Sequence, residues 1–354
     1  MKVDYLILGQ GICGTFLSYF LLQEGKRVMV IDDNKPNTAS RVSSGVINPV
    51  TGRRVVKSWM IDDIMPFAKK SYDAISAFLE IDTVAHSATI LDFVPTPQML
   101  EAFRKRIEDE KEAYLNYKKN TETLREQFNF PFEVVEIKSS LNIQMWELLV
   151  AWKQYLTKNN LLLEEAFDWD SCHVTGQGVT YKDIKADKII CCEGVTGSGN
   201  PYFDKLPFAF NKGEALIVSI PGLSKEYIYK MSSTIVPLVS GDLFWVGSTY
   251  AREYEDDKPT EMFRRIVENY LTHWLKIPFE VRDHLAAIRP ANLERRPFVG
   301  LHPVHPNVGI LNGMGTKGAS LAPYFAYQLV HNMLYDKEIE PLADVKRFKG
   351  ILSK

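Results

Sequence analysis

The chain has 354 residues, 45% of them apolar and 24% charged, with four cysteines and a formal net charge of −2. This length holds two structural units sharing a core, and the near-neutral charge excludes a global attraction to nucleic acid, leaving only local basic patches. No apolar stretch runs unbroken for the roughly 18 residues of a membrane helix, and Cys13, Cys172, Cys191 and Cys192 form no C-x-x-C pair; the expectation is a cytoplasmic protein in a reducing compartment, with no metal site and no structural zinc.

In chain order, residues 3–8 read as a buried strand, 12–24 as a helix and 27–31 as a second buried strand. The opening lysine and apolar run mimic a secretion signal, but glycines interrupt the run and no small-residue cleavage site follows. A polar loop covers 33–58, and 61–79 has helical apolar spacing. Residues 89–94 then read as a strand, 98–119 as a charged helix, 132–137 as a strand and 142–156 as an apolar helix. Residues 161–167, 179–181 and 186–192 read as strands. A β-rich block follows at 214–220, 227–231, 235–239 and 243–249, divided by turn residues such as Ser240-Gly241-Asp242. Residues 260–275 form a helix behind Pro259, 308–312 a buried strand, and 317–334 a closing helix. His302 and His305 lie in a Pro-rich stretch and are expected at the surface.

This pattern predicts an α/β fold. A Rossmann-like domain is assembled from segments 1–84, 140–200 and 285–354, and a β-rich, mainly antiparallel second domain from 85–139 and 201–284. Ligands of such parallel sheets bind at the carboxyl ends of the strands.

Gly9-Gln10-Gly11-Ile12-Cys13-Gly14 fits G-x-G-x-x-G between a strand and a helix, and the second strand ends at Asp32, with Asp33 beside it. Gly9 permits the tight turn, Gly11 lets the backbone approach a pyrophosphate, and Gly14 lets helix and strand pack closely. The free N–H groups and the dipole at the helix start hold the pyrophosphate. Asp32 accepts hydrogen bonds from the ribose hydroxyls and repels a 2′-phosphate, which disfavours NADP.

The order of that fingerprint, then Ser43-Ser44-Gly45, Cys192-Glu193-Gly194, Ile288-Arg289-Pro290 and Gly313-Met314-Gly315-Thr316-Lys317-Gly318 resembles the D-amino acid oxidase superfamily of flavoproteins over nearly the whole chain. Glycine oxidase, sarcosine oxidase and the oxidase half of the tRNA wobble-uridine modification enzyme belong to that superfamily. The resemblance implies FAD. It places Ser43, Ser44 and Gly45 beside the pyrophosphate and flavin, Phe167 near the adenine through its backbone, and Cys192, Glu193 and Gly194 at the cofactor's edge. It lays 312–318 against the flavin's pyrimidine ring, where a helix start and Lys317 would stabilise negative charge. A run at 294–300, from Glu294 through Arg295 and Arg296, resembles a family motif that ties two strands together. Sarcosine oxidases hold flavin through a cysteine near the position of Arg289; with no cysteine after Cys192, the implied FAD is non-covalent.

For chemistry, the resemblance implies oxidation of an amine to an imine, in which the protein orients and stabilises rather than shuttling protons. Arg289 matches the arginine that grips a substrate carboxylate, against the alternative of a structural salt bridge to a glutamate. Lys317 matches a lysine that helps it. Asn48 falls where sarcosine oxidase has an arginine, which argues against sarcosine, and Tyr250 stands near the site or in packing. Arg53, Arg54 and Lys57 form a basic run in the polar loop. Three readings stay open: an oxidoreductase for a small amino acid or secondary amine, a tRNA-linked flavoenzyme acting on a carboxymethylaminomethyl group, and a non-catalytic nucleotide-binding protein.

Overall fold

In the computed structural model, which describes residues 1–353, the segment Lys2–Leu8 is a strand buried on both faces from Tyr5 onward, apart from its first residues. Such a run without polar alternation suits the interior of a parallel sheet. It pairs in parallel with Val28–Asp32 on one side and Ile184–Cys191 on the other. Beyond these, Leu162–Glu164 and Val308–Asn312 extend the parallel order in each direction. Phe298–Leu301, Gly178–Tyr181 and Cys172–Thr175 complete an eight-stranded sheet with antiparallel pairings.

Period-2 alternation divides the side chains of this sheet between two cores. Ile7 and Val30 face the helices Ile12–Gln23, Ile61–Phe78, Met145–Lys158 and Gly318–Tyr335. Leu6, Leu8 and Ile31 face Phe203, Phe298 and Phe348 on the opposite side.

A second, nine-stranded sheet runs in the order Glu280–Arg289, Asn211–Ser219, Leu243–Gly247, Thr234–Pro237, Tyr227–Lys230, Ala85–Phe93, Val134–Ile143 and Val46–Ile47, with Leu115–Tyr117 also on Val134–Ile143. Tyr227–Lys230 and Ala85–Phe93 pair in parallel, and the other pairs are antiparallel. The helix Glu261–Trp274, capped by the Thr260 hydroxyl, packs Phe263, Val267, Leu271 and Trp274 on one face. The other face carries Ile90, Ala215, Val236 and Trp245.

The two sheets meet where chemistry is expected. Val46–Ile47, directly after Gly45, pairs with the end of Val134–Ile143. Arg289 closes Glu280–Arg289, which lies antiparallel to Asn211–Ser219 with Arg289 opposite Asn211.

Several sequence expectations are corrected. The helix expected over 98–119 covers only Pro97–Arg104, prolonged by one wide turn over Lys105–Asp109. Leu115–Tyr117 is instead a strand, because Leu115 buries opposite Ile137 and that pairing outweighs the helical preference of its charged neighbours. The helix expected from 142 begins at Met145, since Asn142 and Ile143 are held in the strand Val134–Ile143 opposite Val46 and Ala85. The strand at 161–167 contracts to Leu162–Glu164. The polar loop contains the helix Ala39–Val42 and three two-residue strands. Cys172–Thr175, Glu280–Arg289 and Phe298–Leu301 are strands that the sequence reading left out. His302 is 5% exposed rather than a surface residue, because its Nδ1 accepts the N–H groups of Val304 and His305 and caps their turn from inside. Among the described residues, no helix is long and apolar enough to cross a membrane, and no cluster of three or more His, Cys, Asp or Glu is placed to hold a metal.

Candidate functional site

A cavity of about 590 Å³ opens at the carboxyl ends of the parallel strands and reaches the second sheet. Its floor is the turn after Lys2–Leu8. Gly9 sits at φ +96°, and a Cβ there would lie 2.5 Å from the Cys192 carbonyl oxygen. A Cβ on Gly14 would overlap the Gly9 carbonyl, so helix Ile12–Gln23 abuts the strand as closely as backbone allows. Gly14 therefore acts beneath the cavity, whereas Gly9, Gly11, Ile12 and Cys13 line it. The Ile12 N–H donates to Ser40 Oγ at 3.0 Å. The N–H groups of Cys13 and Gly14 find no acceptor among the described residues. Two orphan donors at the positive end of a helix dipole make a ready anion cradle.

One end of the cavity suits an adenosine. The carboxylate of Asp32 is fixed by the N–H groups of Gln10 at 2.7 Å and Asn34 at 2.8 Å. Asp33 beside it pairs with Lys35 at 2.7 Å. Phe167 stacks on Tyr181 with ring centroids 4.4 Å apart, and Glu165, Ala166 and Trp169 complete this end. The middle is walled by Ser43, Ser44 and Gly45 on one side and Cys192, Glu193 and Gly194 on the other. Burial pushes the Glu193 carboxyl up, partly opposed by the Asn200 amide that donates to it at 2.7 Å. Burial also pushes the Cys13 thiol up to about 12 and the Cys192 thiol well above its ordinary value. Both cavity cysteines are thus neutral, unreactive thiols.

The far end holds Arg289, with Met314, Gly315, Thr316, Gly318 and Trp245 around it. Arg289 Nη1 donates to Asn211 Oδ1 at 2.8 Å and to the Thr249 carbonyl at 3.0 Å, and Nη2 donates to Ser248 Oγ at 2.8 Å. Every partner is a neutral oxygen, and no ion pair to Arg289 occurs among the described residues. The glutamate salt bridge weighed as the structural alternative is therefore not what holds it. Desolvation lowers the Arg289 pKa, with Tyr250 acting in the opposite direction. A guanidinium so placed keeps its full charge, because its ordinary pKa lies far above neutrality.

Other candidate residues stand outside this wall. Gly313, at φ +76°, packs against Phe298 and offers its carbonyl to Asn292 Nδ2 at 2.9 Å. Lys317 is half-buried and donates to Ser58 Oγ at 2.9 Å; burial lowers its pKa, and the neighbouring charge of Arg296 lowers it further. Tyr250 is exposed. Asn48 lines a separate cavity of about 190 Å³ that shares Ser44, Val46, Trp245 and Ser248 with the first. In the basic run, Lys57 is answered by Asp62 at 3.1 Å and Glu112 at 3.8 Å, while Arg53 and Arg54 are exposed. Glu294 pairs with Arg347 at 3.0 Å, and Arg296 lies over the Trp59 ring at 4.3 Å.

Sequence reasoning missed Ser40, Asn211, Gly213, Trp245 and Ser248. Ser40 sits in the four-residue helix Ala39–Val42, too short to show a period, and Ser248 in an irregular segment just past strand Leu243–Gly247. Gly213 lies inside strand Asn211–Ser219, where a glycine marks a close approach, but the expected strand began at 214 and left it in the preceding loop.

Residues 4–331 match the family model described as DAO, FAD dependent oxidoreductase. The fold is shared with glycine oxidase from Geobacillus kaustophilus (18% identity, 97% of this chain and 98% of that one, TM-score 0.80). It is shared equally with iminodiacetate oxidase from Chelativorans sp. BNC1 (19% identity, 96% and 97%, TM-score 0.76) and L-proline dehydrogenase from P. horikoshii (16%, 99% and 98%, TM-score 0.77). A stretch of 56 residues is 36% identical to the uncharacterized oxidoreductase YurR of Bacillus subtilis (strain 168); it spans 16% of this chain and 15% of that protein. A Gly-lined turn, an orphan-donor helix start and an aspartate held by two backbone N–H groups lie together at this cavity, and the matching model spans nearly the whole chain: the protein belongs to the DAO family of FAD-dependent oxidoreductases.

Proposed function

We propose that the protein oxidises a carboxylate-bearing primary or secondary amine at its C–N bond. The observation that carries this reading is Arg289: a cation at the wall of the cavity, oriented by three neutral oxygens and lacking a carboxylate of its own. A half-buried cation without a counter-charge gains when a ligand supplies one. A guanidinium fork matches a carboxylate in two parallel hydrogen bonds.

FAD, when bound, would supply the two-electron acceptor for a hydride from the α-carbon of the neutral amine, whose nitrogen lone pair would form the C=N bond of an iminium ion open to hydrolysis by water. The chain's own residues orient the reactants and exclude water. Arg289 fixes the carboxylate and thereby the α-carbon beside it. Lys317 contributes positive charge behind the helix start at Gly318, and Tyr250, exposed outside the wall, is near enough to act on the charge of Arg289. Ser43, Ser44, Gly45 and the orphan N–H groups hold the pyrophosphate, and Asp32 the ribose. In this scheme segments 1–84, 140–200 and 285–354 serve the cofactor, and 85–139 and 201–284 the substrate. The neutral thiols of Cys13 and Cys192 favour a non-covalent FAD. Glycine, proline and iminodiacetate, the compounds named in three proteins of the same fold, are all amines with a carboxylate one carbon away.

The test is anaerobic bleaching of the yellow protein by glycine, N-methylglycine, proline and iminodiacetate. At least one should reduce the flavin. If dithionite bleaches it and no carboxylate-bearing amine does, the reading is wrong.

A further inference from the structure

The smaller cavity, of about 190 Å³, has a wall that the reaction at Arg289 does not use. Lys230 enters it from the end of strand Tyr227–Lys230. Its ammonium has one acceptor among the described residues, Asp92 Oδ2. Asp92 is 1% exposed and lies behind the wall rather than in it. The pair fixes the ammonium in place and leaves two of its three protons unused. Asn48 spends its Oδ1 on the Val50 N–H at 3.0 Å, so its Nδ2 is a free donor. The Thr234 hydroxyl has no partner among the described residues. The rest of the wall combines Val46, Ile90, Trp245 and Gly247 with the serines Ser44 and Ser248, and the Trp245 indole N–H is already committed to the Val42 carbonyl at 3.0 Å.

This cavity therefore offers donors and no carboxylate. A cationic ligand group would meet no counter-charge there, and an apolar one would strand the donors. An oxyanion satisfies both Lys230 and Asn48. Ser248 joins the two cavities: it lines both, and its hydroxyl accepts from Arg289 Nη2. We infer that the Lys230–Asn48–Thr234 cavity is a second carboxylate subsite, and that the substrates are amines bearing two carboxylates, one on Arg289 and one on Lys230. This rests on the amine-oxidation reading and narrows its substrate class.

The experiment uses the FAD-loaded protein and two ligands that cannot be oxidised at a C–N bond. Oxydiacetate carries two carboxylates and methoxyacetate one, and binding of each is read from the shift of the flavin absorption. Oxydiacetate should bind at least about ten-fold more tightly, the effect of one charge-assisted hydrogen bond. That advantage should vanish in the Lys230→Gln/Asp92→Asn variant, which removes the pair together and leaves no buried unpaired charge. It should shrink in Asn48→Ala, which serves as the readout if the double variant does not fold. Equal binding of the two ligands by the unaltered protein overturns the subsite. So does an advantage that persists in the double variant or, where that variant does not fold, in Asn48→Ala. Methoxyacetate binding together with bleaching by glycine, but no gain from the second carboxylate, defeats the subsite alone. If neither ligand binds and no amine bleaches the flavin, the underlying reading fails first, and the subsite with it.

Discussion

Replacing Gly213 by alanine tests the placement of Arg289 without touching Arg289. Gly213 lies in strand Asn211–Ser219, and an added Cβ would stand 2.5 Å from Arg289 Nη1 and closer still to Nη2. An unstrained carbon–nitrogen contact is about 3.5 Å, so the guanidinium must retreat by at least roughly 1 Å. Its hydrogen bonds to Asn211, Thr249 and Ser248, now 2.8, 3.0 and 2.8 Å long, would then exceed hydrogen-bonding distance. A 1 Å misplacement of a positioning group lowers turnover by about 10²-fold. We therefore expect kcat/KM for a carboxylate-bearing amine to fall by about 10²-fold or more. The fold should survive, because the displaced atoms are the far end of a long side chain, although the stranded Asn211 oxygen removes about 1–3 kcal/mol of stability. Anaerobic stopped-flow reduction gives the first quantity, and thermal unfolding with FAD content gives the second. A Gly213→Ala variant that is folded, loaded and within about three-fold of the original kcat/KM would refute the assignment of Arg289 as anchor.

Arg289→Lys keeps the charge but loses the fork; kcat/KM should drop by about 10–10³-fold, mostly through KM, in steady-state assays. Asp32→Ala frees the N–H groups of Gln10 and Asn34 and removes the ribose acceptor, so FAD should bind about 10–10²-fold more weakly in a fluorescence titration, with little change once saturated. Acid precipitation should release all the flavin into the supernatant; chromophore retained by the pellet would show a covalent link. His302 is held down to about 4, first by burial and then by the neighbouring His305. Its folded pKa lies below the unfolded value of about 6.5, so this contribution is complete above that pH and is lost as pH falls towards 4, by up to about 3 kcal/mol. Urea midpoints at pH 7 and pH 4.5 should differ less for His302→Asn than for the unaltered protein; an identical difference would remove His302 from the account.

The nucleotide half was readable because local rules and tertiary demands agree there. The buried run at Lys2–Leu8, the glycines of the turn and the acid at Asp32 each report a backbone or packing requirement that extends only a few residues. The elements that eluded sequence reasoning are those fixed from afar. Leu115–Tyr117 is a strand because Ile137 faces Leu115, and Glu280–Arg289 is one because Asn211–Ser219 lies alongside, although its first residues are charged and exposed. The same division holds in the site. Arg289 could be singled out from its motif, but its three oxygens come from positions 211, 248 and 249, and only the folded sheet brings them together. Lys230 gave no signal at all, being one lysine among many until strand pairing sets it over Asp92.

The interleaving of the first sheet also sets a timetable. The strand Lys2–Leu8 leaves the ribosome before its partners: its neighbour Ile184–Cys191 follows only about 180 residues later, and Val308–Asn312 later still. The wall from Met314 to Gly318 follows that last strand. At about 5–20 residues per second, translation leaves the N-terminal fingerprint without a finished sheet for roughly 15 seconds or longer. The cavity wall is thus complete only once residue 319 has been made. A chain truncated before residue 308 therefore carries the fingerprint with neither its outer parallel strand nor the Met314 to Gly318 wall to close it.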